Sequence, residues 1–228
     1  MMLRCLPFFL LAVLPSVPTA HAIVRGVEAR YQHAKTLKAT FFEAYREGGG
    51  RRTAESGTVY FSRPGRMRWE YESPEKKLFL VDGTNAWFYI PADHTASRAK
   101  VKESSDWRTP VALLAGKADL NELCRDVRLV DPATAKSAEE KPLESEDYVL
   151  HCDPRDAGPN SDLRSIFLEV NPQDYLARVI IHEMGDVETE FRFGNWEENI
   201  PIAEAQFHFQ PPSGVSVVDE SALSGDVH

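Results

Sequence analysis

Between Arg66 and Glu72 every second residue is charged, and Met67, Trp69 and Tyr71 fall between the charges. A repeat of two places the charges on one side of an extended strand and the apolar side chains on the other, which no helix does. The same period recurs along the chain. Val59 and Phe61 alternate with Thr58, Tyr60 and Ser62; Val187, Thr189, Phe191 and Phe193 alternate with Glu188, Glu190 and Arg192; Phe207 and Phe209 alternate with Gln206, His208 and Gln210. Val, Ile and aromatic content predicts further strands over 76–81, 86–90, 123–130, 148–152, 163–170 and 176–184. Turn residues separate them: Gly48-Gly49-Gly50, Pro64-Gly65, Asp82-Gly83, Asn171-Pro172 and Gly185-Asp186. Two stretches break the period. Val24, Val27, Tyr31, Ala34 and Leu37 keep the three-four spacing of one helix face. Thr109 as N-cap, Pro110 in the first turn and Gly116 past the end frame a short apolar helix through Leu113, Leu114 and Ala115. Residues 131–145 read as a long surface loop, 153–162 as a second loop and 220–228 as a loose tail.

About ten strands with one apolar face each outnumber the helices that could cover them. Such a sheet curls into a barrel or half-barrel, or splits into a sandwich. A curled sheet plugged by apolar helices encloses a cavity. Phe41, Phe61, Trp69, Trp87, Phe191 and Phe207 are its candidate lining, although period two fixes only which residues share a face. The same rings would serve as ordinary core.

The first 22 residues change the arithmetic of an otherwise globular composition, 43% apolar with a formal net charge of −9. They carry one charge, Arg4, then an apolar run and the small-x-small triplet Ala20-His21-Ala22. That is the pattern of a signal peptide cleaved after Ala22. The expected mature chain, 23–228, is a single acidic domain in an oxidising compartment. Its charge argues against nucleic-acid binding, which needs clustered Lys and Arg. Cys5 precedes the apolar run and is badly placed for lipid attachment. Cys124 and Cys152 remain. If their strands form a hairpin with Val127 opposite Val149, then Cys124 faces Cys152 and a disulfide is possible; two buried thiols are the alternative. No metal, cofactor or catalytic set is expected. His182-Glu183 lacks the second histidine of a zinc-protease helix, and no Gly-x-Ser-x-Gly elbow accompanies His151, Asp153 or His208.

The run Arg63-Pro64-Gly65-Arg66-Met67-Arg68-Trp69-Glu70-Tyr71 is followed by Pro74, by Leu80-Val81-Asp82-Gly83 and by Trp87-Phe88-Tyr89-Ile90-Pro91. With the Thr109-Pro110 helix and the closing Phe207-x-Phe209-x-Pro211-Pro212-x-Gly214-Val215, this series resembles the outer-membrane lipoprotein carrier (LolA) family. The resemblance implies an incomplete antiparallel β-barrel with a short helical lid. It also implies a task without covalent chemistry. A monomer would take acylated lipoproteins released by an inner-membrane ABC transporter, hide their acyl chains and deliver them to an outer-membrane receptor.

Arg63 matches the arginine that, in the family, latches the lid through backbone carbonyls, which would lie here near Leu113, Leu114, Ala115 and Gly116. Met67 stands where many members carry an aromatic implicated in contact with the transporter. Trp69 matches a cavity-side tryptophan. The 131–145 loop and the two cysteines lie outside the family pattern. Burial of acyl chains yields about 0.8 kcal/mol per CH₂, so a carrier needs an opposing term to release its cargo. A guanidinium with five donors holding a lid closed supplies one. The competing class is a periplasmic lipid- or lipoprotein-binding sensor or scaffold built on the same half-barrel.

Overall fold

The computed structural model describes residues 17–50, 52–101, 120–155 and 163–219. The expected lid helix with Leu113, Leu114, Ala115 and Gly116, most of the apolar leader and the 220–228 tail lie outside them. Helix α1 spans Ala20–His33 and is capped by the Thr19 hydroxyl, which accepts from the Ala22 N–H at 3.2 Å. Twelve strands follow: β1 Thr36–Arg46, β2 Thr53–Ser62, β3 Arg66–Ser73, β4 Lys77–Val81, β5 Asn85–Ile90, β6 Thr95–Lys100, β7 Cys124–Leu129, β8 Tyr148–Pro154, β9 Leu163–Val170, β10 Leu176–Glu183, β11 Val187–Glu198 and β12 Ser216–Asp219. A single helical turn, α2 at Leu120–Leu123, leads into β7.

The chain is mainly β, and its strands make one open sheet in the order β12-β6-β5-β4-β3-β2-β1-β11-β10-β9-β8-β7. Neighbours are antiparallel except β12, which adds to β6 in parallel. Consecutive hairpins build two meanders, and β1 joins them by pairing with β11. Gly185 and Asp186 both take positive φ (77° and 56°) where the β10–β11 hairpin turns, the handedness such turns need. At Gly57 the β2 and β3 backbones approach so closely that a Cβ would meet the Glu70 carbonyl, so only glycine fits.

The apolar faces of these strands form one core with α1. Ile23, Val24, Val27 and Tyr31 of the helix pack with Phe41, Val59, Phe61, Trp69, Leu168 and Val179. Trp69 on β3 and Phe193 on β11 are three strand steps apart, about 14 Å at ordinary spacing. Their rings nevertheless lie 6.1 Å apart. Curvature toward the apolar face brings them together.

Four expectations need correction. The helix ends at His33, and Leu37 belongs to β1. Ala34 is already extended (φ −63°, ψ 125°), and Leu37, Ala39 and Phe41 then alternate as buried residues of a strand. Phe207 lies in a 3-10 helix, Glu204–Phe207, not in a strand, since Pro201, Pro211 and Pro212 deny this stretch the donors a ladder uses. Strands β6 and β12 carry too little apolar alternation to be foreseen. Finally, Cys124 and Cys152 form a disulfide with Cα atoms 5.5 Å apart, but in another register. Val127 pairs with Cys152 and Cys124 with Pro154, after a bulge between Cys124 and Asp126. The bond therefore runs diagonally across the hairpin.

The outer face is also covered. The loop after β7 lies against β8–β10, where Arg178 and Glu169 form an ion pair at 2.7 Å with side chains 6% and 1% exposed. The Arg178 guanidinium donates further to the carbonyls of Glu139 (3.2 Å) and Lys141 (2.6 Å), while Glu169 Oε1 accepts from the Leu143 N–H at 2.5 Å. Farther along, Arg66 pairs with Glu204 and Arg68 donates to the Gln206 carbonyl, both at 3.0 Å, fixing the C-terminal segment across β3.

Candidate functional site

Trp69 sits at the middle of the inner face, 3% exposed. Four rings meet it edge-to-face: Phe41 at 4.7 Å, Phe191 at 5.7 Å, Phe193 at 6.1 Å and Phe61 at 6.3 Å. Edge-to-face pairs of this kind add about 0.5–1.5 kcal/mol each beyond the area they bury. The expected lining residues Phe41, Phe61, Trp69 and Phe191 thus converge on one cluster. Phe193, Tyr71 and Phe79 join it. Phe193 carried a signal already, because it continues the alternation of Phe191.

Trp87 and Phe207 do not belong to this face. In the β4–β5 hairpin Trp87 pairs with Leu80, and Phe88 pairs with Phe79. Since Phe79 also pairs with Trp69 on β3, the residue sharing Trp69's side is Phe88, which is 38% exposed. Trp87 packs outside with Leu78 and Leu80, against Phe209 at 5.4 Å. Phe207 is buried on the outer side as well, under the Arg66 guanidinium 5.4 Å from its ring. Met67 is half-buried and packs against the inner core beside Trp69.

Polar ties hold α1 over the cluster, and most grip its C-terminal end. The Tyr31 hydroxyl accepts from the Leu176 N–H at 3.0 Å; burial drives its pKa far up, so it stays a neutral phenol. Arg30 pairs with Glu198 at 2.7 Å and lies 4.2 Å over the Tyr175 ring, which stacks on Trp196. Glu28 Oε1 accepts from the Leu120 N–H at 3.0 Å.

Arg63 belongs to the same set. Its Nε donates to the Ala34 carbonyl at 3.0 Å, and its backbone N–H donates to the Lys35 carbonyl at 3.0 Å. Partial burial lowers its pKa, yet a guanidinium remains charged at any relevant pH. Among the described residues its bonded carbonyl is therefore at the end of α1. The family's lid carbonyls would fall on 113–116, outside the described residues. Arg63, Ala34, Leu37 and Phe61 line a cleft of about 170 Å³ where α1 meets β1 and β2. The cleft is partly open to solvent and encloses no water-sized space.

A metal-like grouping exists on the outer face, where Glu139, His182 and Glu188 each bring a ligand atom within 4.8 Å of the others. Glu188 is already neutralised by Arg46 at 2.7 Å, and the group reads as an ion-pair network. No helix among the described residues is long and apolar enough to cross a membrane.

Comparison with known proteins bears on what this face is for. The family model described as outer membrane lipoprotein carrier protein LolA matches residues 32–210. An outer-membrane lipoprotein carrier protein of Dechloromonas aromatica is 29% identical over 210 residues, 92% of this chain and 93% of that one. Its counterpart in Nitrosospira multiformis is 28% identical over 207 residues, 89% and 91% of the two chains. A solved structure of an uncharacterized conserved protein from Thermus thermophilus superposes with a TM-score of 0.54 at 15% identity, covering 88% of this chain and 99% of that one. That likeness concerns the fold alone. The family is one of carriers rather than enzymes, and its model spans the aromatic face, the Arg63 turn and both meanders. The chain belongs to the outer-membrane lipoprotein carrier family, LolA.

Proposed function

We propose that this protein is a periplasmic carrier whose inner aromatic face receives the acyl chains of lipoproteins. It takes them after release from the inner membrane by an ABC transporter and gives them up to an outer-membrane receptor. In this reading residues 1–22 are removed on export, and the mature chain works as a monomer without a cofactor.

The observation that carries the reading is the Trp69 cluster under α1. It is an apolar surface that shares one core with the apolar side of α1, a helix whose polar ties gather toward one end. Acyl chains can replace Ile23, Val24 and Val27 on such a surface while the polar ties at the other end of the helix stay made. Closure supplies the opposing term that release requires. Opening costs the burial of Ile23, Val24 and Val27 and strains the Arg63–Ala34 tie, which offsets part of the large yield of burying acyl chains. In this reading Arg63 sets that balance from the rim of the cleft, and Met67 at the start of β3 is assigned the contact with the transporter.

Spheroplasts carrying a radiolabelled lipoprotein test the reading. The purified mature protein should release it as a soluble one-to-one complex, and absence of that complex would refute the carrier role. Arg63→Leu should still load cargo but pass it on slowly. A variant that both loads and delivers at the normal rate would remove Arg63 from the mechanism.

A further inference from the structure

The tryptophans of the described residues differ in one respect. Trp87 donates its indole N–H to Asp82 Oδ2 at 3.3 Å, and Trp196 donates to the Leu176 carbonyl at 3.0 Å. Trp69 is the most central of the three, and its Nε1–H is buried with no acceptor. An indole is a donor only, and a buried donor without an acceptor is costly. The rings around it, Phe41, Phe61, Phe191 and Phe193, carry no oxygen. Their faces are weak acceptors at best.

Phenylalanine at this position would fill most of the same space without leaving a polar atom dry. The N–H is thus the one property of Trp69 that the closed structure does not use, and it sits on the face to which the carrier reading assigns the cargo. A lipid-modified cysteine is not purely apolar. Each ester-linked chain begins at a carbonyl that loses its water when the chain is buried. The unused donor and the dry acceptor satisfy each other.

We propose that Trp69 Nε1–H donates a hydrogen bond to an ester carbonyl of the bound acyl chains, making Trp69 a specificity-determining residue for acyl over alkyl cargo. The inference rests on the carrier reading and adds a polar contact to an otherwise non-directional site. In the closed state the donor is unsatisfied; in the loaded state donor and carbonyl are both paired. The bond therefore favours the loaded state as well as the acyl linkage.

The test pairs two ligands with two proteins. The ligands are a diacylglyceryl-cysteine peptide with two ester-linked palmitoyl chains and the same peptide with ether-linked hexadecyl chains. The native protein should bind the ester form about three- to tenfold more tightly, the range of one hydrogen bond. Trp69→Phe should bind both alike. In ¹⁵N-labelled native protein the Trp69 indole resonance should move downfield with the ester peptide and not with the ether peptide, a readout that needs no variant. Equal affinity of the native protein for the two ligands, an ester preference that survives in Trp69→Phe, or an indole shift common to both ligands would overturn the inference. If neither ligand binds the native protein, the carrier reading itself falls and this inference with it.

Discussion

The two faces of the sheet are both covered, but by different physics. On the inner face α1 lies over aromatic rings, and its N-terminal half is held by Ile23, Val24 and Val27 with little directional bonding. On the outer face the 131–147 loop is fastened through a guanidinium and a carboxylate that are almost wholly out of water, Arg178 and Glu169. Apolar contact is indifferent to small shifts of register and can be exchanged for other apolar contact. A desolvated ion pair has one good geometry, and losing either partner strands the other. In the proposed carrier cycle the first construction suits a cover that leaves and returns, and the second one that stays.

The largest way to break this contrast is to cut the outer fastening. Arg178→Met leaves Glu169 buried and unpaired, and chemical denaturation should show a loss of about 3–5 kcal/mol. The double variant Arg178→Met with Glu169→Leu should recover most of it. Next comes the disulfide that pins β7 to β8 on the inner side of the sheet. It closes a 28-residue separation, and Cys152→Ser should cost about 3.6 kcal/mol by the entropy of that loop. Cargo loading should survive if the inner face is independent of this hairpin.

The inner cover should yield more cheaply. Tyr31→Phe leaves the Leu176 N–H without its acceptor, costing about 1–2 kcal/mol. It should show more strongly as faster amide exchange along α1 than as a lower melting temperature. The smallest effect sharpens the outer side. Burial and the neighbouring Glu169 carboxylate push the Asp147 pKa up to about 6, above the ordinary value near 4. The folded state then binds more protons than the unfolded one between about pH 4 and 6. The stabilising contribution of Asp147 is full at the acid end and lost as pH rises through about 6. Asp147→Asn should remove that slope, which denaturation midpoints across the range would reveal.

Period two revealed the faces of β2, β3 and β11, because a half-buried strand must alternate and few other structures do. It could not reveal hairpin registers. Trp87 fell on the wrong face because a one-residue change of register exchanges inner for outer along a whole strand. The turn around Asp82-Gly83 does not announce that parity in composition. The start of β1 was hidden for a related reason: Leu37 satisfies helical spacing from Ala34 and strand spacing to Ala39 at once. The Arg63 turn was legible through family resemblance, whereas its bond to Ala34 was not, since nothing in the residues says where α1 ends. The tie between Arg178 and Glu169 was invisible for another reason. Each reads as the polar member of an alternating strand, and only the loop folding back over them makes them interior.

The junction between β1 and β11 has a consequence in time. The β1–β6 meander consists of neighbours in sequence and can assemble early, but its β1 edge has no partner until β11 follows, some 150 residues later in the chain. During that interval the molecule presents a long strand edge beside Phe41 and Leu37, the kind of template on which chains join one another. Lys38 and Arg46 along that edge, which the finished fold pairs with Glu197 and Glu188 of β11, then put charge where such joining would start.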